Sequence, residues 1–155
     1  MKRVIAILLI IVLFAAACGG SVNTDVSDQI RGADSIEAAA RVAVEEGRQA
    51  EPSVIRAIRF NPAAEILNIE LMGDESTVSE MHGEARIIFE RLKLRDAPDM
   101  VIISYWFPAA SGGGDIQGMR IEFDRSNFRN TDFAEMLPHN LPESASEYFL
   151  HHELQ

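Results

Sequence analysis

Histidines and carboxylates are the side chains here with the most obvious chemistry, so their spacing comes first. His151 and His152 are adjacent, and on a helix their side chains point about 100° apart, which is poor geometry for sharing one metal. His139 could join one of them, with Glu147 or Glu153 adding a carboxylate, and such a set would suit a metal-dependent hydrolase. No HExxH and no paired CxxC accompanies it, and a solvated C-terminal helix accounts for the same residues. Asp124, Ser126, Asn130, Asp132 and Glu135 fall at positions 1, 3, 7, 9 and 12 of a calcium-loop template. Position 5 is Phe128, however, and position 6 is Arg129 where the turn needs glycine. A strand end followed by a helix cap explains that stretch better. Gly112-Gly113-Gly114-Asp115 lacks the Gly-Lys-Ser/Thr ending of a phosphate-cradling loop and no helix follows it. It reads as a hairpin turn. There is no G-x-S-x-G, and a triad of Ser104, His82 and some acid can be drawn on paper in any chain of this size. No catalytic residue, metal or cofactor is therefore expected.

Tyr105-Trp106-Phe107 is the most informative cluster. Strand alternation puts Tyr105 and Phe107 on the face with Val101 and Ile103, and Trp106 on the other with Ile102 and Ser104. One helix cannot cover both faces. Either a terminal helix covers the second, making Trp106 a core residue, or Trp106 lines an open apolar groove. Aromatics are enriched at binding surfaces. With Asp115 from the glycine loop and Arg120 pointing outward on the next strand, Trp106 and Tyr105 form the candidate ligand- or partner-binding set.

The first twenty residues carry a different signal. Lys2 and Arg3 precede fourteen apolar residues, Val4 to Ala17. A helix of that length spans roughly 21 Å, short of the hydrocarbon core of about 30 Å and right for the apolar region of a signal peptide. Small residues follow, Ala15-Ala16-Ala17, and then Cys18, the only cysteine. This stretch resembles bacterial lipoprotein precursors, whose lipobox has an aliphatic residue, two small residues and an obligatory cysteine. Alanine stands at the first box position, where leucine is commonest. The resemblance implies removal of residues 1–17, a diacylglyceryl group on Cys18, and a lipid anchor in the cell envelope that palmitate would label. Gly19 is not the aspartate that favours inner-membrane retention, so outer-membrane delivery is implied if the organism has one. A single acyl chain holds a protein only marginally, whereas two or three on one residue hold it essentially permanently.

Removing residues 1–17 takes away two of the 14 basic residues and none of the 24 acids, deepening the net charge from −10 to −12. Such a balance argues against nucleic acid and against adsorption to anionic lipid, which need a basic footprint. Residues 18–33 are small and polar and read as a lipidated cysteine followed by a flexible tether. The rest, 34–155, suits one domain.

Within that domain, Asp34 or Ser35 caps a helix with an Ile36, Ala39, Ala40, Ala43, Val44 stripe, stopped by Gly47. Two strands follow around Asn61-Pro62. In the first, Arg56 and Arg59 are expected on opposite faces; in the second, Leu67, Ile69 and Leu71 alternate with Asn68 and Glu70. Thr77 and Glu80 fit a capping box for the firmest helix. The run 100–107 is apolar on both sides and reads as a central strand, paired in a hairpin with 118–124. The tail, split by Pro138 and Pro142, predicts one short and one longer helical segment. The expected fold is α+β: a two-layer sandwich of order α-β-β-α-β-β-α with a four-stranded, mainly antiparallel sheet. The functional expectation is an anchored, non-enzymatic lipoprotein whose acidic domain binds an envelope protein or small ligand. An envelope enzyme using the C-terminal His and Glu residues is the alternative.

Overall fold

The computed structural model describes residues 26–47, 55–73, 76–96, 98–109 and 112–154. Chain order is α1 (Val26–Gly32), α2 (Ile36–Gly47), β1 (Ile55–Asn61), β2 (Ile66–Met72), α3 (Val78–Leu92), β3 (Met100–Pro108) and β4 (Asp115–Asp124). Then come α4 (Arg125–Asn130), a 3-10 turn at Pro138–Asn140, α5 (Leu141–Ser144), β5 (Glu147–Leu150) and a last 3-10 turn at His152–Leu154. The signal segment, Cys18 and the first part of the expected tether lie outside the described residues.

The class is α+β, with all five strands in one sheet of order β1-β2-β3-β4-β5. β1–β2, β3–β4 and β4–β5 pair antiparallel, while β2 and β3 pair parallel. Parallel neighbours require a crossover, and α3 supplies it. Its capping box is present as the sequence predicts: the Thr77 hydroxyl accepts from the Glu80 amide while the Glu80 carboxylate accepts from the Thr77 amide at 2.7 Å. These hydrogen bonds hold the Glu80 carboxyl below its ordinary value.

Two expectations need correction. The sheet has a fifth strand, lying where a helix was expected in the tail. Glu147-Tyr148-Phe149-Leu150 carries a two-residue period: Tyr148 and Leu150 pack against the core, while Phe149 is exposed. Pro142 sits in the first turn of α5 rather than breaking a helix, a position where its missing N–H costs nothing. The second correction concerns the tether. Its described part holds α1, whose Ile30 is fully buried. Val26 and Ile30, four residues apart, give that helix one apolar edge. Arg95 secures its end by donating to the carbonyls of Arg31 at 3.1 Å and Ala33 at 2.7 Å.

The core lies between the helices and one sheet face. Leu67, Ile69 and Leu71 from β2, Val101, Ile103 and Tyr105 from β3, and Met119, Ile121 and Phe123 from β4 are all fully buried there. α2 presents Ala39, Ala40, Ala43 and Val44 to it, and α3 presents Met81, Ala85, Ile88 and Phe89. Phe89 meets Phe123 edge-on at 4.8 Å and stacks on Phe133 at 5.4 Å, the offset and T-shaped contacts that aromatic quadrupoles favour.

The β3–β4 ladder shifts register once. Tyr105 pairs with Met119, but Trp106 pairs with Gln117, leaving Gly118 as a bulge. Glycine is required there by close approach: a Cβ would sit 2.4 Å from the Phe107 ring and 2.8 Å from Leu154. The Gly118 carbonyl also accepts from the His151 amide at 2.7 Å. Gly118→Ala is expected to cost about 1–3 kcal/mol, in the range of an overpacked core, read as a lowered urea midpoint. Combining it with Phe107→Leu should recover part of that loss. Additive losses would show that the ring is not what the methyl meets.

β5 is also held by a titratable contact. His82 on α3, buried, has its Nε2 2.9 Å from the Tyr148 hydroxyl. Burial lowers the His82 pKa from its ordinary 6.5. The unfolded chain then binds the proton first, so stability is intact above about pH 6.5 and falls as pH drops from there through the lowered folded value. The slope of urea midpoint against pH in that window should flatten in His82→Gln. An unchanged slope would place the proton uptake elsewhere.

Candidate functional site

Strand pleating sends neighbouring side chains to opposite faces, and only the first face contributes side chains to the core cluster. The second face carries Asn68, Glu70 and Met72 from β2, Ile102, Ser104 and Trp106 from β3, and Arg120 and Glu122 from β4, none of which belongs to that cluster. This division separates two candidates that are adjacent in sequence. Tyr105 is fully buried on the first face and donates to the Met81 carbonyl at 3.2 Å. Burial, with Glu84 beside it, pushes its hydroxyl well above the ordinary tyrosine range. Tyr105 is therefore a core residue and not a surface contact. Trp106 is only half-buried, on the second face, and so stands apart from the core.

Around Trp106 the structure brings together residues far apart in sequence. The Arg56 guanidinium lies over the indole, 4.4 Å from the ring centroid. It donates to Asp115 at 2.8 Å, and its Nε lies 3.6 Å from Glu70. Glu70 in turn accepts from Arg59 at 2.8 Å. Two carboxylates thus clamp a cation onto an aromatic face, an arrangement worth roughly 0.5–2 kcal/mol depending on solvation. The expectation that Arg56 and Arg59 lie on opposite faces fails at an irregularity in the β1–β2 ladder. Ile55 pairs with Leu71 and Ala57 with Glu70, so Arg56 is squeezed out of alternation and reaches the same carboxylate as Arg59.

Trp106 keeps one unsatisfied group. Its Nε1 is buried and finds no hydrogen-bond acceptor among the described residues. A buried indole N–H usually has one. Beside it, the Gln117 amide donates to the Ser104 hydroxyl at 3.0 Å. Further along the face, Arg120 Nη2 lies 2.6 Å from Glu122 Oε1, an ion pair without directed hydrogen-bond geometry. Trp106, Asp115 and Arg120 thus share one face, and Tyr105 is the candidate that leaves the set. Arg56, Glu70 and Gln117 join it. No sequence pattern marks Gln117, and Arg56 is legible only once the irregular register is known.

Other candidates take structural roles. The Asp124 carboxylate caps α4, accepting from the Asn127 amide at 2.8 Å and from the Ser146 hydroxyl at 2.9 Å. Those bonds hold its carboxyl below the ordinary range. Asp132 accepts from the amides of Ala134 and Glu135, so two of the calcium-template carboxylates serve a cap and a turn. Gly112 and Gly114 adopt φ of +71° and +104° in the β3–β4 turn, conformations that glycine alone adopts freely. The His151 and His152 rings lie 4.3 Å apart just past β5, where His152 opens the short 3-10 turn instead of lying on the longer helix the sequence suggests. Among the described residues no group of three or more His, Cys, Asp or Glu could hold a metal ion. No described helix is long and apolar enough to cross a membrane. No protein-family model, curated protein or solved structure matches the chain.

Trp106 is the only tryptophan, so its fluorescence reports this face alone. Arg56→Ala should shift its emission to the red as the ring loses its cover, with little loss of stability. Tyr105→Phe should do the opposite: unchanged emission, and a cost of about 0.5–1.5 kcal/mol from the lost buried hydrogen bond.

Proposed function

We propose that the protein is a membrane-anchored bacterial lipoprotein, held in the cell envelope through Cys18, whose small acidic domain binds an envelope protein or small ligand without catalysing a reaction. In an organism with two membranes the anchor lies in the outer one. The observation that carries the binding half of this reading is Trp106: half-buried on the sheet face outside the core cluster, stacked with Arg56, and with an unanswered N–H. An aromatic side chain framed by ion pairs is the composition of an interface centre. Glu70 and Asp115 neutralise Arg56, so the face presents paired charge around apolar surface rather than a field of one sign.

The anchoring half is supported by the charged start, the fourteen-residue apolar run and the placed cysteine. The two halves are tested together in cells. Palmitate should label the full chain and not Cys18→Ala, which should also leave the membrane fraction. In the anchored protein, Trp106→Ala should lower cross-linking to its envelope partner several-fold while the thermal transition stays in place. A Trp106→Ala chain that no longer folds would return the residue to a core role. An unmodified sulfur at Cys18 by mass spectrometry would remove the anchor.

A further inference from the structure

The chain carries more acid than base, yet its cations are not spread evenly. An open cleft of about 850 Å³ lies where β1 ends and β2 and β3 begin. Arg31, Lys93, Arg95, Arg125 and Arg129 line it, against the carboxylates of Glu65 and Asp96. More than a third of the 14 lysines and arginines therefore converge on one cleft of a molecule with a net charge of −10. They arrive from α1, from the connection after α3, and from α4, so no single helix explains the convergence.

Part of this charge is committed to the fold. Arg95 answers the carbonyls at the end of α1, and Lys93 donates to the Arg129 and Thr131 carbonyls at the end of α4, at 3.0 and 2.6 Å. Arg125 pairs with Glu65 and with Asp99. Two guanidiniums remain. Among the described residues Arg31 has only an exposed contact with Asp28 at 3.7 Å. Arg129 is exposed, and among the described residues its side chain meets no acceptor within hydrogen-bond or ion-pair distance. They belong to different helices and line the same cleft. The rest of the lining is apolar: Ile36, Phe60, Leu94 and Pro98.

We propose that this cleft binds a small phosphate-bearing ligand with a short carbon skeleton. Planar guanidinium forks match phosphate oxygens in bidentate geometry, and the apolar walls suit the carbon part. The same chemistry is offered by a soluble sugar or glycerol phosphate and by the headgroup of a phosphoglyceride. The face around Trp106 plays no part in this site, so the two stand or fall separately.

The test uses the full chain reconstituted in phosphatidylcholine vesicles, read by amide hydrogen exchange at residues 93–96 and 125–130. Glycerol 3-phosphate is added in one arm, and phosphatidylglycerol is included in the bilayer in the other. Protection in the first arm assigns the site to a soluble phosphate; protection only in the second assigns it to a headgroup. Arg129→Ala should weaken the response about tenfold, the scale of one charge-assisted hydrogen bond. Arg41→Ala, which removes the same charge from an exposed position on α2, should leave it unchanged. No protection in either arm, or equal losses in both variants, would overturn the proposal.

Discussion

The structure depends on the unequal dressing of a pleated sheet. Nine fully buried side chains from β2, β3 and β4 face the helix layer. Burying an aliphatic or aromatic side chain contributes about 1.5–3 kcal/mol, so this face carries a large share of the folding free energy. The second face contributes nothing to that cluster. Its residues are thereby released from core packing, and mixed charge can persist there beside Trp106. Were β3 to slip by one residue, Tyr105 and Trp106 would exchange environments. Parallel pairing with β2 and antiparallel pairing with β4 both resist that slip.

Irregularities in the ladders matter as much as the ladders. The bulge at Gly118 restores phase between β3 and β4 before the hairpin turn, and the glycine makes room for the Phe107 ring. The irregularity at Arg56 turns an edge-strand side chain toward Glu70 and Trp106. Bulges commonly re-aim side chains near functional sites and blunt exposed edges. Here one device does both: β1 is an edge strand, its arginines are engaged on the second face, and its row of backbone groups is flanked by charge.

How much was legible follows from which signals are local. The α3 capping box, the alternation of β2 and the apolar run of β3 are local, and each appears where the sequence places it. β5 escapes a local reading because four residues carry little periodic signal, and its partner β4 lies more than twenty positions away. α1 was missed because two apolar residues in a polar stretch are too few to mark a helix; its order comes from the Ile30 contact and from Arg95, 62 to 65 positions distant. At the site, alternation alone separated Trp106 from Tyr105 by face, but it could not say which face the helices cover. The Arg56 stack needs a register that no local pattern encodes.

Charge makes the same point on a larger scale. A net charge of −10 describes the far field of this molecule, and at ionic strengths near 0.15 M that field fades within about 8 Å. What a ligand meets at contact is the local arrangement. On the second sheet face, arginines and carboxylates are interleaved and cancel. In the cleft the cations outnumber the carboxylates, because the carbonyl ends of α1 and α4 also converge there and draw in Arg95 and Lys93. The helix ends account for two of the cations in structural terms, while among the described residues Arg31 and Arg129 carry the weakest internal pairing of the five. An acidic globule can thus resist broad adsorption to anionic surfaces and still present one cleft whose sign is reversed.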